Sequence, residues 1–290
     1  MNYALFFGCV IPTREPSYEA SLRAVFKELG VDLIDLDKAT CCAPIPIESL
    51  DFKTSLAIAA YNLSLAEEAN INIMTICNGC FQVLSKANKT LKENETLRTD
   101  INKILAEVGR EYKGTVDVVD YLQVLHNDVT PERIKENISK SLNKLRVAAF
   151  YGCHVLRPSS VLNFDNPEHP HILDDLIELT EAKSVQYMHK TKCCGGLLRG
   201  ISDDLASKLA RNKLFNISNS KADCIVTVCP FCFLQLDVGQ LDVRRRFNET
   251  YNLPVFHYPE LLGLAMGIDP EKLGLKTHRI STESVLKKIE

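Results

Sequence analysis

Ile71-Asn-Ile-Met-Thr-Ile-Cys-Asn-Gly-Cys-Phe81 and Asp223-Cys-Ile-Val-Thr-Val-Cys-Pro-Phe-Cys-Phe233 share one pattern: a short run rich in β-branched residues that ends in Cys-x-x-Cys-Phe. Such a run reads as a buried strand, and it places the cysteines in the turn that follows. Reading backward from each stretch, the adjacent pairs Cys41-Cys42 and Cys193-Cys194 end 35 residues before Cys77 and Cys229 respectively. Further back, Tyr3-Ala-Leu-Phe-Phe-Gly-Cys9 parallels Val147-Ala-Ala-Phe-Tyr-Gly-Cys153. The gap from first cysteine to pair is 32 residues in one half and 40 in the other. A surface loop absorbs that difference at little entropic cost. Forward of the cysteines, Val118-Val-Asp-Tyr-Leu-Gln-Val-Leu125 parallels Val255-Phe-His-Tyr-Pro-Glu-Leu-Leu262. The repeat therefore covers residues 1–129 and 146–270, as expected if a whole domain was duplicated.

Within the first repeat, strands are expected at 3–7, 31–36, 71–76 and 115–119. Helices are expected between them: Tyr18–Leu29 capped by Ser17, 52–69 with an apolar stripe at Leu56, Ala59, Ala60 and Leu63, then 82–94 and 96–109. Alternating strands and helices predict an α/β fold: two similar domains with parallel sheets, related by pseudo-twofold internal duplication. Pro131 reads as the first residue of a connecting helix that fills most of 130–145. Residues 271–290 lie outside the repeat, as a C-terminal extension that could dock a partner. Loops at the carboxyl ends of parallel strands are where such sheets build sites, and the cysteines fall there.

The bulk composition excludes several classes of function. With 34 basic against 37 acidic residues, no charge imbalance points to nucleic acid or a membrane surface. No apolar run approaches the ~18 residues of a membrane span. Eleven cysteines without a recognisable signal peptide argue against a disulfide scaffold and for a cytoplasmic protein whose thiols are reduced or metal-bound. No glycine-rich dinucleotide fingerprint or P-loop is visible, so electrons are expected to arrive from another protein.

A lone cysteine is usually a small buried hydrophobe, and Cys224, without a counterpart in the first half, reads that way. Packing gives no reason, however, to repeat five thiols at matched spacings. One set is Cys9, Cys41, Cys42, Cys77 and Cys80; the other is Cys153, Cys193, Cys194, Cys229 and Cys232. Structural zinc is the alternative, but it takes four ligands, and each half offers five. Adjacent Cα atoms are only about 3.8 Å apart, which strains two neighbouring thiolates on one tetrahedral ion. A multi-iron cluster can bind adjacent thiolates through different metal atoms.

The halves differ where chemistry would need them to. His154 follows Cys153 where the first half has Val10; it suits proton delivery, or structural hydrogen bonding beside a ligand. Gly195 and Gly196 replace Ala43-Pro44 and either admit a substrate closely or form a tight turn. Arg199, just before a helix expected to open at Ser202, offers a seat for a sulfonate or phosphate, with Lys192 a second candidate. Arg244-Arg245-Arg246 reads as a solvated helix face.

The duplicated Cys, Cys-Cys-Gly, Cys-x-x-Cys arrangement resembles the cysteine-rich domain (CCG) family, and within it the B subunits of methanogen heterodisulfide reductases, over nearly the whole chain. The departure is Cys41-Cys42-Ala43, where the family glycine is missing. The resemblance implies two noncubane [4Fe-4S] clusters, each held by one five-cysteine set, and reduction of the mixed disulfide of coenzyme M and coenzyme B. It also implies partners: a ferredoxin-like iron–sulfur subunit, a flavin-containing subunit, and a larger complex that includes a hydrogenase or formate dehydrogenase. Cysteine-rich subunits that serve lactate, glycolate or glycerol-3-phosphate oxidation share the motif, which leaves an electron-transfer role open.

Overall fold

A computed structural model describes all 290 residues. Strands β1 (Asn2–Phe6), β2 (Asp32–Asp35), β3 (Ile73–Thr75) and β4 (Val118–Asp120) form a parallel sheet in the order β2-β1-β3-β4. Strands β5 (Arg146–Phe150), β6 (Lys183–Ser184), β7 (Cys224–Thr227) and β8 (Val255–His257) repeat it as β6-β5-β7-β8, again all parallel. The registers correspond: Ala4 pairs Ile73, which pairs Val118, and Ala148 pairs Ile225, which pairs Val255. The expected α/β class and duplicated parallel sheets are both present.

Alternation along the central strands sends side chains to two different cores. Ala4 and Phe6 point outward into a core of 20 residues with the helices Phe52–Ala69 and Asn78–Glu93, and Ala148 and Phe150 do the same in a core of 16 residues with the helix Asp203–Asn219. Leu5, Val147 and Ala149 point inward, into a single core of 44 residues drawn from both halves. Helices Pro16–Glu28 and Tyr258–Ala265 pack against each other within it. Each large side chain buried there contributes roughly 1.5–3 kcal/mol, so the halves are thermodynamically one unit. No helix is long and apolar enough to cross a membrane.

Local differences from the sequence expectation have identifiable causes. Ser17 is not a cap: the helix begins at Pro16, preceded by Glu15, whose buried carboxyl meets His257 Nε2 at 2.7 Å. The helix expected at 82–94 starts at Asn78, so Cys80 lies in its first turn. The connecting helix spans only Pro131–Glu136. Beyond it, the N–H groups of Ser139 and Lys140 donate to Ala265 O at 3.0 and 2.9 Å, and Leu142 N–H donates to Thr180 O at 2.9 Å, bonds that a continuing helix would forfeit. The C-terminal extension also turns back on its own chain. Leu273, Leu275, Val285 and Ile289 join the shared core, and the Asp237 carboxylate accepts from the N–H groups of Arg279 and Ile280, each at 2.9 Å.

Candidate metal centres

The first cysteine and the Cys-x-x-Cys pair of each set owe their places to strand ends. Gly8 and Gly152 follow β1 and β5 with φ of +70° and +74°, and each turns the chain into the first cysteine of its set. A Cβ on Gly8 would lie 2.8 Å from Cys80 Sγ, and one on Gly152 would lie 3.2 Å from Cys232 Sγ. Glycine is thus required twice over, by backbone conformation and by the approach of sulfur. Cys77 and Cys229 are the N-cap residues of the helices Asn78–Glu93 and Pro230–Leu236. Cys80 and Cys232 follow within the first turn, on the same helix face.

All ten motif cysteines line one cavity between the halves, together with His154, Asn78, Gly196 and Phe231. Cys194 and Cys232 approach to 3.5 Å between sulfurs. The N–H groups of Gly195 and Gly196 donate to Cys193 Sγ and Cys194 Sγ, each at 3.3 Å. The neighbouring thiols of Cys229 and Cys80, followed by the N–H groups of Cys80 and Gly79, hold Cys77 well below the usual thiol range. Cys42 falls to about 5 through Cys41 and Cys80, and Cys193 to about 2 through Cys153 and Cys194. Their neighbours Cys41, Cys80 and Cys153 are pushed up in return. Crowded thiols divide their protons in this way, and ionising all of them requires cations among them.

The residues fit thiolate-held iron–sulfur clusters. The donors are sulfur throughout, glycine N–H groups face sulfur, and two glycines leave room that a methyl group would fill.

His154 is half-buried and lines the cavity, with its pKa lowered by burial against the opposing influence of Cys193 and Cys77. The expected anion seat is not in this cavity. Arg199 Nε donates to Gln235 Oε1 and Nη1 to Asp242 Oδ2, both at 2.5 Å, so a carboxylate already answers its charge. Lys192 lines a separate surface hollow with Lys190, His169 and His189. Gly196 reaches the cavity, whereas a Cβ on Gly195 would point at Leu209, 3.1 Å away. Arg245 pairs with Asp242 at 2.6 Å on an exposed helix face, in keeping with the solvated reading of the triple arginine. Cys224 is fully buried in β7, as expected of a core residue.

Sequence reasoning missed Asn78, whose Nδ2 donates to Tyr151 O at 2.7 Å and ties the halves together at the cavity floor. The signal available was its place inside Cys-x-x-Cys, where the second half has Pro230.

A duplicated α/β chain that turns ten thiols into one cleft defines a cysteine-rich redox protein. The chain belongs to the cysteine-rich domain (CCG) family, whose sequence profile matches residues 3–85 and 147–237. It is 41% identical over 289 residues to the B subunit of the ferredoxin/F420H2-dependent CoB–CoM heterodisulfide reductase of Methanosarcina acetivorans, covering 99% of this chain and 96% of that one. It is 33% identical over 274 residues to the 8-methylmenaquinol:fumarate reductase membrane anchor subunit of Wolinella succinogenes, covering 94% and 95%. The crystal structure of a hypothetical protein from Helicobacter pylori shares the fold, with a TM-score of 0.78 and 15% identity over 97% of this chain and 52% of that one. Relatives of these kinds place the chain among the subunits of multi-subunit oxidoreductases.

Proposed function

We propose that this chain is the catalytic subunit of a heterodisulfide reductase and reduces the mixed disulfide of coenzyme M and coenzyme B to two thiols. The observation that carries the reading is the single cavity onto which both five-cysteine sets open. Opening a disulfide breaks one S–S bond and takes up two electrons and two protons, so two equivalent sites facing one substrate suit the stoichiometry. Cys9, Cys41, Cys42, Cys77 and Cys80 would hold one noncubane [4Fe-4S] cluster, and Cys153, Cys193, Cys194, Cys229 and Cys232 the other; bound there, the clusters supply electrons singly and iron positions for sulfur.

The chain's own residues do the rest. Gly196 and Phe231 wall the cavity against water, and His154 is the lining side chain suited to hand a proton to a departing sulfur. Electrons come from a ferredoxin-like iron–sulfur subunit, fed by a flavin-containing subunit, with a hydrogenase or formate dehydrogenase upstream, in the cytoplasm. The likeness to a fumarate reductase subunit supports a second reading, in which the chain only relays electrons. Assaying the cluster-loaded protein with the mixed disulfide and an artificial one-electron donor separates the two. Thiol release supports the reductase. Its absence, with full iron and sulfide, overturns it in favour of the relay.

A further inference from the structure

Lys213 breaks the symmetry of the two halves. It lies on the helix Asp203–Asn219 and is only 2% exposed. Its ammonium donates to the carbonyls of His189 and Lys190 and sits 4.4 Å from the centre of the Phe150 ring and 5.8 Å from that of Tyr187. It forms no ion pair with a carboxylate, whereas nearby Lys190 is held by Asp174 at 2.5 and 2.7 Å. Burial lowers its pKa to about 8, against the opposing pull of the Cys232, Cys194, Cys193 and Cys153 sulfurs. A buried ammonium without a counter-charge is costly. The Phe150 ring that the ammonium faces shares its core with Cys194, Cys229 and Cys232, so a thiolate-bound cluster held there is the anion that this geometry supplies.

The first half is built differently: 16 residues before Cys77, where Lys213 stands before Cys229, is Tyr61, and the cation over its ring, Arg110 at 5.5 Å, is paired with Glu68 at 2.8 Å. Its helix Phe52–Ala69 offers buried Asn62, whose Oδ1 accepts from Thr40 N–H at 2.8 Å and whose Nδ2 donates to Cys41 O at 3.1 Å. Asn62 and Lys213 thus do the same mechanical work, bracing the segment that leads into each cysteine pair. Only Lys213 adds a positive charge. The helix Phe52–Ala69 has one basic residue, Lys53, and its side chain is 62% exposed.

We infer that Lys213 raises the reduction potential of the second half's cluster above that of the first, making the second half the site where an incoming electron rests. The inference depends on the two-cluster reading. Adding an electron makes a cluster more negative, and a fixed buried cation favours the more negative state. The first cluster, braced by a neutral amide, receives no such help.

The test is a redox titration of the whole chain under anaerobic conditions, followed by electron paramagnetic resonance. Iron and sulfide are measured on the same samples. Two midpoints are expected, the higher one altered by Cys153→Ser and not by Cys9→Ser. Lys213→Gln keeps a hydrogen-bond donor and removes the charge. It should lower the higher midpoint by at least the equivalent of a tenfold change in the reduction equilibrium, about 59 mV for one electron. The other midpoint should stay in place. Lys213→Met, which also removes the donor, should match Lys213→Gln. An unshifted midpoint in Lys213→Gln with iron retained, or equal movement of both midpoints, overturns the inference and leaves Lys213 a brace alone. Iron for fewer than two clusters in the unsubstituted protein would overturn the two-cluster reading, and this assignment with it.

Discussion

Asn78 Nδ2 of the first repeat donates to Tyr151 O of the second at 2.7 Å, beside Cys77 and its equivalent Cys229, which line the same cavity. The two cysteine sets therefore share a border. Cys9 and Cys41, by contrast, sit on the exposed flank of the first set.

This border predicts two kinds of cysteine variant. The anaerobically purified protein should contain about eight irons with matching sulfide. Cys9→Ser should disturb the spectrum of one cluster, whereas Cys77→Ser should disturb both. Cys224→Ala should leave iron unchanged, at a stability cost of no more than a few kcal/mol. Zinc in place of iron after reconstitution would contradict all three.

Gly8→Ala and Gly152→Ala should lower both stability and iron content. Each forces a side chain into left-handed backbone and pushes it toward a cysteine sulfur, Cys80 Sγ at 2.8 Å and Cys232 Sγ at 3.2 Å from the new methyl group. The cost should be at least about 1 kcal/mol, visible in thermal melts of the metal-free chain, with a further loss of bound iron. Normal iron in Gly8→Ala would mean that Cys80 does not bind where the cradle puts it.

His154→Ala should keep both clusters and lose roughly 10²–10⁴-fold in turnover, the scale of a general acid. Iron analysis alongside the rate measurement separates this from a structural effect. Full turnover would leave water as the proton source.

Arg199→Ala should leave the Michaelis constant for the disulfide unchanged and cost up to about 1 kcal/mol of stability, because Arg199 is occupied by Asp242 and partly exposed. A rise of tenfold or more in that constant would restore Arg199 as the substrate's anion anchor.

Glu15 and His257 predict a pH dependence of stability. Burial, with help from Cys77, Glu260 and Asp237, raises Glu15 to about 10, while burial drives His257 well below its usual value. Both directions describe a neutral pair. The folded state thus holds a proton on Glu15 that the unfolded chain releases near pH 4.5. Its stabilising contribution is complete below that pH and is lost as pH rises toward about 10. Glu15→Gln should therefore melt progressively higher than the unsubstituted protein between pH 5 and 9. A constant difference across that range would show that Glu15 is ionised in the fold.

The fold and the gathering of the ten motif cysteines are legible in the sequence because both are local and repeated. A β-branched run followed by Cys-x-x-Cys, met twice at one spacing, announces strand, turn and cavity-lining thiols together. What escapes depends on partners far away along the chain. Arg199 reads as free because Asp242 lies 43 residues on. The segment after Glu136 reads as helical because the carbonyl that takes its N–H groups belongs to distant Ala265. Lys213 sits among Asn and Leu in an ordinary amphipathic pattern, and nothing in one sequence distinguishes a lysine that is buried from one that is not.

The shared core also bears on how the protein is made. Leu5, Tyr18 and Tyr121 belong to the early part of the chain, yet their neighbours include Tyr258, Leu273 and Leu275. A nascent chain that has released only its first repeat from the ribosome holds five cysteines whose supporting walls have not been synthesised. Iron delivered at that moment would meet a half-built cleft open to oxygen. Closure of the cavity must therefore wait for the last few dozen residues, and a truncation near the C-terminus, far from every motif cysteine, should lower the metal content of the protein.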